Sequence, residues 1–258
     1  MQGEQAPDRR VLRITGADRT AFLQGLVSSD VRRLEKGPVY TALLSPQGKY
    51  LADFLLVPQG DAVLLDVHDS LAEGLAKRLA MYRLRADVQI ETSDLQVLRG
   101  LGEPPEDAVC DPRHAALGWR RYVAPGTPSD PPLIDWDGIR VANCIPETGI
   151  ELIPGESYIL ECGFERLGGV DHRKGCYVGQ EVTARMKHRT ELRKGLVTVQ
   201  VEGPAAPGTE ITAEGKPAGK LHTRAGDRAI AWLRFDRAAG PLAAGEAVVR
   251  WADAETVA

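Results

Sequence analysis

Aromatic residues make up only 5 % of this 258-residue chain, and histidines number five. No stretch is apolar for long enough to cross a bilayer as a helix, which needs about 20 residues. The four cysteines, Cys110, Cys144, Cys162 and Cys176, lie 34, 18 and 14 residues apart. That spacing contains no CxxC pair, which argues against a structural zinc site or a self-contained set of cluster ligands. It also does not resemble a small secreted disulfide scaffold. Each cysteine therefore starts as a small buried hydrophobe, and that reading is kept for Cys110, Cys144 and Cys162. A net charge of -4 and a pI near 5.8 speak against a general nucleic-acid or membrane-surface binder. The first ten residues are polar and lack an apolar signal core, so the cytoplasm is the expected compartment. No stably bound metal is expected.

What is present is ordinary globular composition, 43 % hydrophobic and 26 % charged. Strands are expected over 11–14, 39–44, 50–57 and 62–67, joined by Pro/Gly turns at 45–49 and 58–61. A helix should run through Phe22, Leu23 and Leu26. A second, capped by Asp69 or Ser70, should carry Leu71, Leu75, Leu79 and Tyr82 at helical spacing. Further strands are read at 86–91, 95–99 and 119–123. A helix is expected over 133–143, mixed loop and helix over 155–169, and a short helix over 181–188. Helices on one face of antiparallel strands make an α+β fold. From 194 onward, short strands between Gly/Pro turns suggest a small β-barrel. The chain then divides into 1–190 and a C-terminal barrel domain, 191–258.

One segment stands out chemically. Asp171-His172-Arg173-Lys174 places three potentially cationic side chains directly before Gly175-Cys176, and Gly179 to Glu181 opens a helix. Cations and helix N-termini favour the thiolate, the reactive form of cysteine. If these features converge, Cys176 is a nucleophile, a redox group or a metal ligand. If they do not, it packs inward while the cations face water. Asp53 is a second candidate: a carboxylate among apolar neighbours in a strand is costly to bury unless partnered. Gln24 is polar within an apolar helical run. Arg85, in Tyr82-Arg83-Leu84-Arg85, ends a helix whose dipole it complements.

Lys174-Gly175-Cys176-Tyr177-Val178-Gly179-Gln180-Glu181 resembles the signature of the YgfZ family, folate-binding relatives of the glycine-cleavage aminomethyltransferase. Ile14-Thr15-Gly16-Ala17-Asp18, Phe22-Leu23-Gln24-Gly25-Leu26 and Leu44-Ser45-Pro46-Gln47-Gly48-Lys49-Tyr50-Leu51-Ala52-Asp53 extend the resemblance, as do 139–146 and 185–189. It implies an aminomethyltransferase-like α+β fold of three subdomains in a ring, two interleaved ferredoxin-like units and a C-terminal barrel. It also implies tetrahydrofolate or a derivative as ligand. The function implied is an accessory one in assembly or repair of iron–sulfur proteins, particularly [4Fe–4S] proteins. Assembly proteins and client cluster enzymes are the implied partners.

On that resemblance Cys176, Lys174 and Asp53 carry the chemistry, with Lys174 favouring the Cys176 thiolate. Gln24, Asp53, Arg85, Tyr177, Gln180, Glu181 and Arg185 contact the folate. Two alternatives stand beside this: a true one-carbon transferase acting on a small amine, and a non-catalytic cluster scaffold using Cys176. The aminomethyltransferases proper lack the motif cysteine but match at Asp53. Departures from the family pattern are Val27-Ser28-Ser29-Asp30, in place of a Thr-containing stretch, and Thr190, where Gly is common.

Overall fold

The computed structural model describes residues 2–188, 192–238 and 240–251. The expected boundary at 190–191 and the departure at Thr190 lie outside the described residues. Two compact units are present, residues 1–134 with 167–180, and residues 135–166 with 181–258.

The first unit is built on a five-stranded antiparallel sheet in the order Val39–Leu44, Tyr50–Gln59, Ala62–His68, Arg9–Thr15, Gln89–Thr92. Alternation along the strands sorts its two faces. Leu12, Ile14, Ala52, Phe54, Leu56, Val63, Leu65 and Val67 form one core with Leu23 of the helix Arg19–Gln24 and with Ala72, Leu75 and Leu79 of the helix Asp69–Arg83. The other face carries Tyr40, Asp53, Leu55 and Asp66, aligned by the pairs Tyr40↔Leu55, Ala42↔Asp53 and Leu55↔Asp66. A four-stranded sheet, in the order Glu4–Gln5, Gln96–Gly100, Trp119–Val123, Val109–Cys110, completes the unit.

The second unit holds the helix Trp136–Ala142 and a closed six-stranded barrel. Barrel order is Lys194–Glu202, Arg228–Arg234, Lys216–Ala225, Glu210–Ala213, Leu242–Ala244, Ala247–Arg250, and the last strand pairs back onto the first. Closure removes sheet edges, and the interior is filled by small and branched side chains such as Val197, Val199, Ile211, Ala218, Leu221 and Leu233. A fully buried carboxylate, Glu151, ties the unit together. It accepts from Arg140 at 2.6 Å, from the Glu147 amide at 2.9 Å, and from the Thr223 hydroxyl at 2.5 Å.

The α+β architecture and the barrel match expectation; several local readings are corrected. The expected strand 86–91 is Gln89–Thr92. The expected helix 133–143 is Trp136–Ala142, because the Asp135 carboxylate accepts from the Gly138 amide at 2.8 Å and starts the helix there. The long helix of the first unit is capped by His68, whose ring nitrogen accepts from the Ser70 amide, in place of Asp69 or Ser70. Residues 155–169 are turns without a helix. The strands Glu4–Gln5 and Leu242–Ala244 were not anticipated; two or three residues carry too little alternation to read.

Candidate functional site

The segment 168–180 is stapled to the segment 24–31 within the first unit. Ser28 Oγ donates to the Gly169 carbonyl at 2.6 Å, and Ser29 Oγ to that of Gly168 at 3.3 Å. The Asp171 amide donates to the Ser28 carbonyl at 3.0 Å. Segment 24–31 is in turn fixed to the sheet: the Ser29 amide donates to Thr41 Oγ1 at 2.9 Å and the Ala42 amide to Ser28 Oγ at 2.9 Å.

Lys174 is the centre of this joint. It is only 5 % exposed. Its ammonium donates to the main-chain carbonyls of Gln24 at 2.9 Å and Ser29 at 3.1 Å, and to that of Val27. It also sits 5.1 Å from the centre of the Tyr177 ring, a cation–π distance. Burial pulls its pKa down to about 8, with Asp30 and Asp171 opposing the fall. It is therefore still an ammonium at neutral pH. Its three N–H bonds are taken up by main-chain carbonyls.

Cys176 lies between two buried residues, Lys174 and Tyr177, and is itself exposed. Its neighbours His172, Arg173 and Gly175 are exposed as well. Gly179 has φ +83, and a Cβ there would lie 2.6 Å from the Ser45 carbonyl oxygen. The motif therefore needs a glycine to turn against the 45–48 loop. The reading of Cys176 as packed inward does not hold. Cys110, expected to be buried, is exposed, whereas Cys162 is buried.

The other anticipated residues separate into distinct roles. Asp53 is 4 % exposed, and its carboxylate accepts from Tyr50 at 2.7 Å and Tyr40 at 3.0 Å. Gln24 Oε1 accepts from the Val31 amide at 2.8 Å, which fixes the 24–31 turn from inside. Tyr177 covers the Lys174 ammonium, and Gln180 begins the helix Gln180–His188. Glu181 and Arg185 pair with each other at 2.5 Å on the exposed side of that helix. Arg85 is exposed beyond the end of the helix Asp69–Arg83.

A group that the sequence did not disclose surrounds Asp53 and Asp66. Asp66 receives Arg9 at 2.7 Å, Arg120 at 3.0 Å and Tyr122 at 2.9 Å. Arg120 also donates to Asp111 at 2.9 Å, as does Arg113 at 2.8 Å. The Arg113 guanidinium lies 5.7 Å from the Tyr40 ring, and Tyr40 leads to Asp53. Burial works to raise the Asp66 carboxyl, but Arg9 and Arg120 outweigh it and hold it below the ordinary carboxylate range. Asp111 is also held low, by Arg113 and Arg120 against burial. Burial, with Asp53 adding to it, pushes the Tyr40 phenol well up. The one signal in the sequence was an Asp inside each of two apolar strands. Among the described residues, no three His, Cys, Asp or Glu side chains come together to hold a metal ion.

Comparison with known proteins adds the family context. Residues 193–257 match the family of the CAF17 C-terminal beta-barrel domain. The chain is 32 % identical over 280 residues to the iron-sulfur cluster assembly factor IBA57, mitochondrial, of Mus musculus, covering 91 % of this chain and 78 % of that protein. It is 30 % identical over 276 residues to the Homo sapiens protein of the same name, with the same coverage of 91 % and 78 %. Among solved structures, the glycine cleavage system aminomethyltransferase T from Bartonella henselae superposes with a TM-score of 0.75 at 12 % identity, over 98 % of this chain and 85 % of that one. The aminomethyltransferase-like fold is thereby established. The relatives are IBA57 proteins, where the motif resemblance pointed to YgfZ. They are mitochondrial by name, and this overturns the cytoplasmic expectation drawn from the polar N-terminus.

Proposed function

Because this chain belongs to the IBA57 family of iron–sulfur cluster assembly factors, we propose that it assists assembly or repair of iron–sulfur proteins, [4Fe–4S] proteins in particular, through Cys176. The observation that carries this reading is an exposed thiol on a loop anchored on both sides by buried residues. Such a thiol is accessible to a partner and held in one place. The cluster is cargo, and Cys176 offers it a single thiolate; further ligands come from the partner protein that delivers or receives it.

The decisive experiment is complementation of a strain lacking its own family member, read as the specific activity of a [4Fe–4S] enzyme. Cys176→Ala is expected to lower that activity to the level of the deletion strain. Full activity with Cys176→Ala sinks the assignment of Cys176.

Tetrahydrofolate, or a derivative, is the ligand we assign to the first unit. The resemblance of the N-terminal segments supports this, as does a buried carboxylate, Asp53, oriented by two phenols. A carboxylate so held can accept from the donor edge of a pterin, which needs a few placed polar anchors within an apolar slot. Titration with tetrahydrofolate should give saturable binding that Asp53→Asn weakens at least tenfold. Absence of saturable binding removes the folate while leaving the assembly function standing.

A further inference from the structure

We propose that Lys174 is a positioning residue for Cys176: its ammonium, held by three main-chain carbonyls of the segment 24–29, fixes the loop that presents the thiol at the surface. The proposal rests on reading Cys176 as the working group of the proposed function.

Lysine is almost never fully buried unless its polar head is partnered, and here all three of its donors are. Three tetrahedral N–H donors meet the carbonyls of Gln24, Val27 and Ser29. The Gln24 carbonyl belongs to the last turn of the helix Arg19–Gln24. Carbonyls there lack intrahelical partners, and a cation suits that end of the helix dipole.

The second anchor is Tyr177, one residue beyond Cys176, whose buried ring closes over the same ammonium. Cys176 thus sits in a span of four residues, 174–177, whose two ends meet on one charged group. The serine staples at Gly168 and Gly169 hold the approach to this span, and Gly179 seats its exit against the 45–48 turn. An arginine offers its donors in a plane and does not reproduce this three-way convergence.

A spectroscopic reading of Cys176 itself separates positioning from general stability. In a Cys110→Ser background, Cys176 is the accessible thiol, since Cys162 is buried and Cys144 half-buried. A nitroxide label on Cys176 should give a broadened spectrum in the otherwise native protein. Lys174→Met should narrow it towards the lines of a mobile label while the thermal unfolding transition stays cooperative. The unlabelled Lys174→Met protein should lower the activity of the [4Fe–4S] enzyme at least tenfold in complementation. An unchanged line shape, or a narrowed spectrum with full enzyme activity, overturns the proposal.

If Lys174→Met does not accumulate, Lys174→Arg retains the charge and should still narrow the spectrum; an unchanged spectrum there likewise overturns it. The two readings fail separately. Full activity of Cys176→Ala sinks the assembly role of the thiol but leaves the line-shape result intact.

Discussion

Four cysteines of one chain occupy different environments, and their chemistry follows. Burial pushes the Cys144 thiol up to about 11 and the Cys162 thiol up to about 12, so both stay protonated and unreactive at neutral pH. Cys110 and Cys176 are exposed. Brief treatment of the native protein with iodoacetamide should therefore modify positions 110 and 176 only, with Cys144 and Cys162 reacting after unfolding; peptide mass spectrometry reads this directly. Glycines of the motif differ in the same local way. Gly179→Ala meets both a left-handed backbone and the Ser45 carbonyl, and should cost about 1–3 kcal/mol from backbone strain alone. Gly175→Ala meets nothing within 4 Å and should be close to neutral; urea unfolding compares the two. At this scale the chain marked Cys176 as a candidate, because cations and a glycine-bounded turn surround it. The task of Lys174 was not, because its acceptors are carbonyls 145 to 150 residues away, and a main-chain acceptor has no side-chain signature.

Elements were legible where alternation ran long enough. The strands Val39–Leu44, Trp119–Val123 and Glu210–Ala213 fall where their apolar pattern and turn residues put them. What alternation could not disclose is the joint between the two sheets of the first unit. Asp66 and Arg120 are 54 residues apart, and Asp111 reaches the same guanidinium from a loop. Two carboxylates (Asp66, Asp111) and three guanidinia (Arg9, Arg113, Arg120) pair there, so removing one strands its partners. Arg120→Met should destabilise the protein by about 3–5 kcal/mol, as expected for breaking a buried pair from one side. Exposed pairs such as Lys77 with Glu73 or Arg185 with Glu181 should change stability little when removed, because water screens them. Chemical denaturation of the variants tests the contrast.

For the whole molecule, the same joint sets the acid limit. Asp66 and Asp111 have folded-state pKa values below their unfolded ones. Their contribution is fully present above the unfolded carboxyl value of about 4 and is lost as pH falls through the lower folded values. Thermal melts should be steady from neutral pH down to that point and fall steeply below it, and Asp66→Asn should flatten the fall. The α+β architecture and the barrel could be read from patterning because they arise from local periodicity. Kinship with proteins named mitochondrial came from sequence comparison alone, since strand and helix periodicity carries no address. The strand order has one more consequence, for how the protein behaves in a crowded solution. The barrel closes on itself, and Val39–Leu44 is buried along its whole length, bridged at Leu43 by Val27. The outer strands of the smaller sheet are two residues long. Among the described strands, that leaves Gln89–Thr92 as the longest accessible row of unpaired backbone groups, and it carries Glu91. A foreign strand seeking to template on this protein finds four residues and a negative charge, a built-in resistance to aggregation.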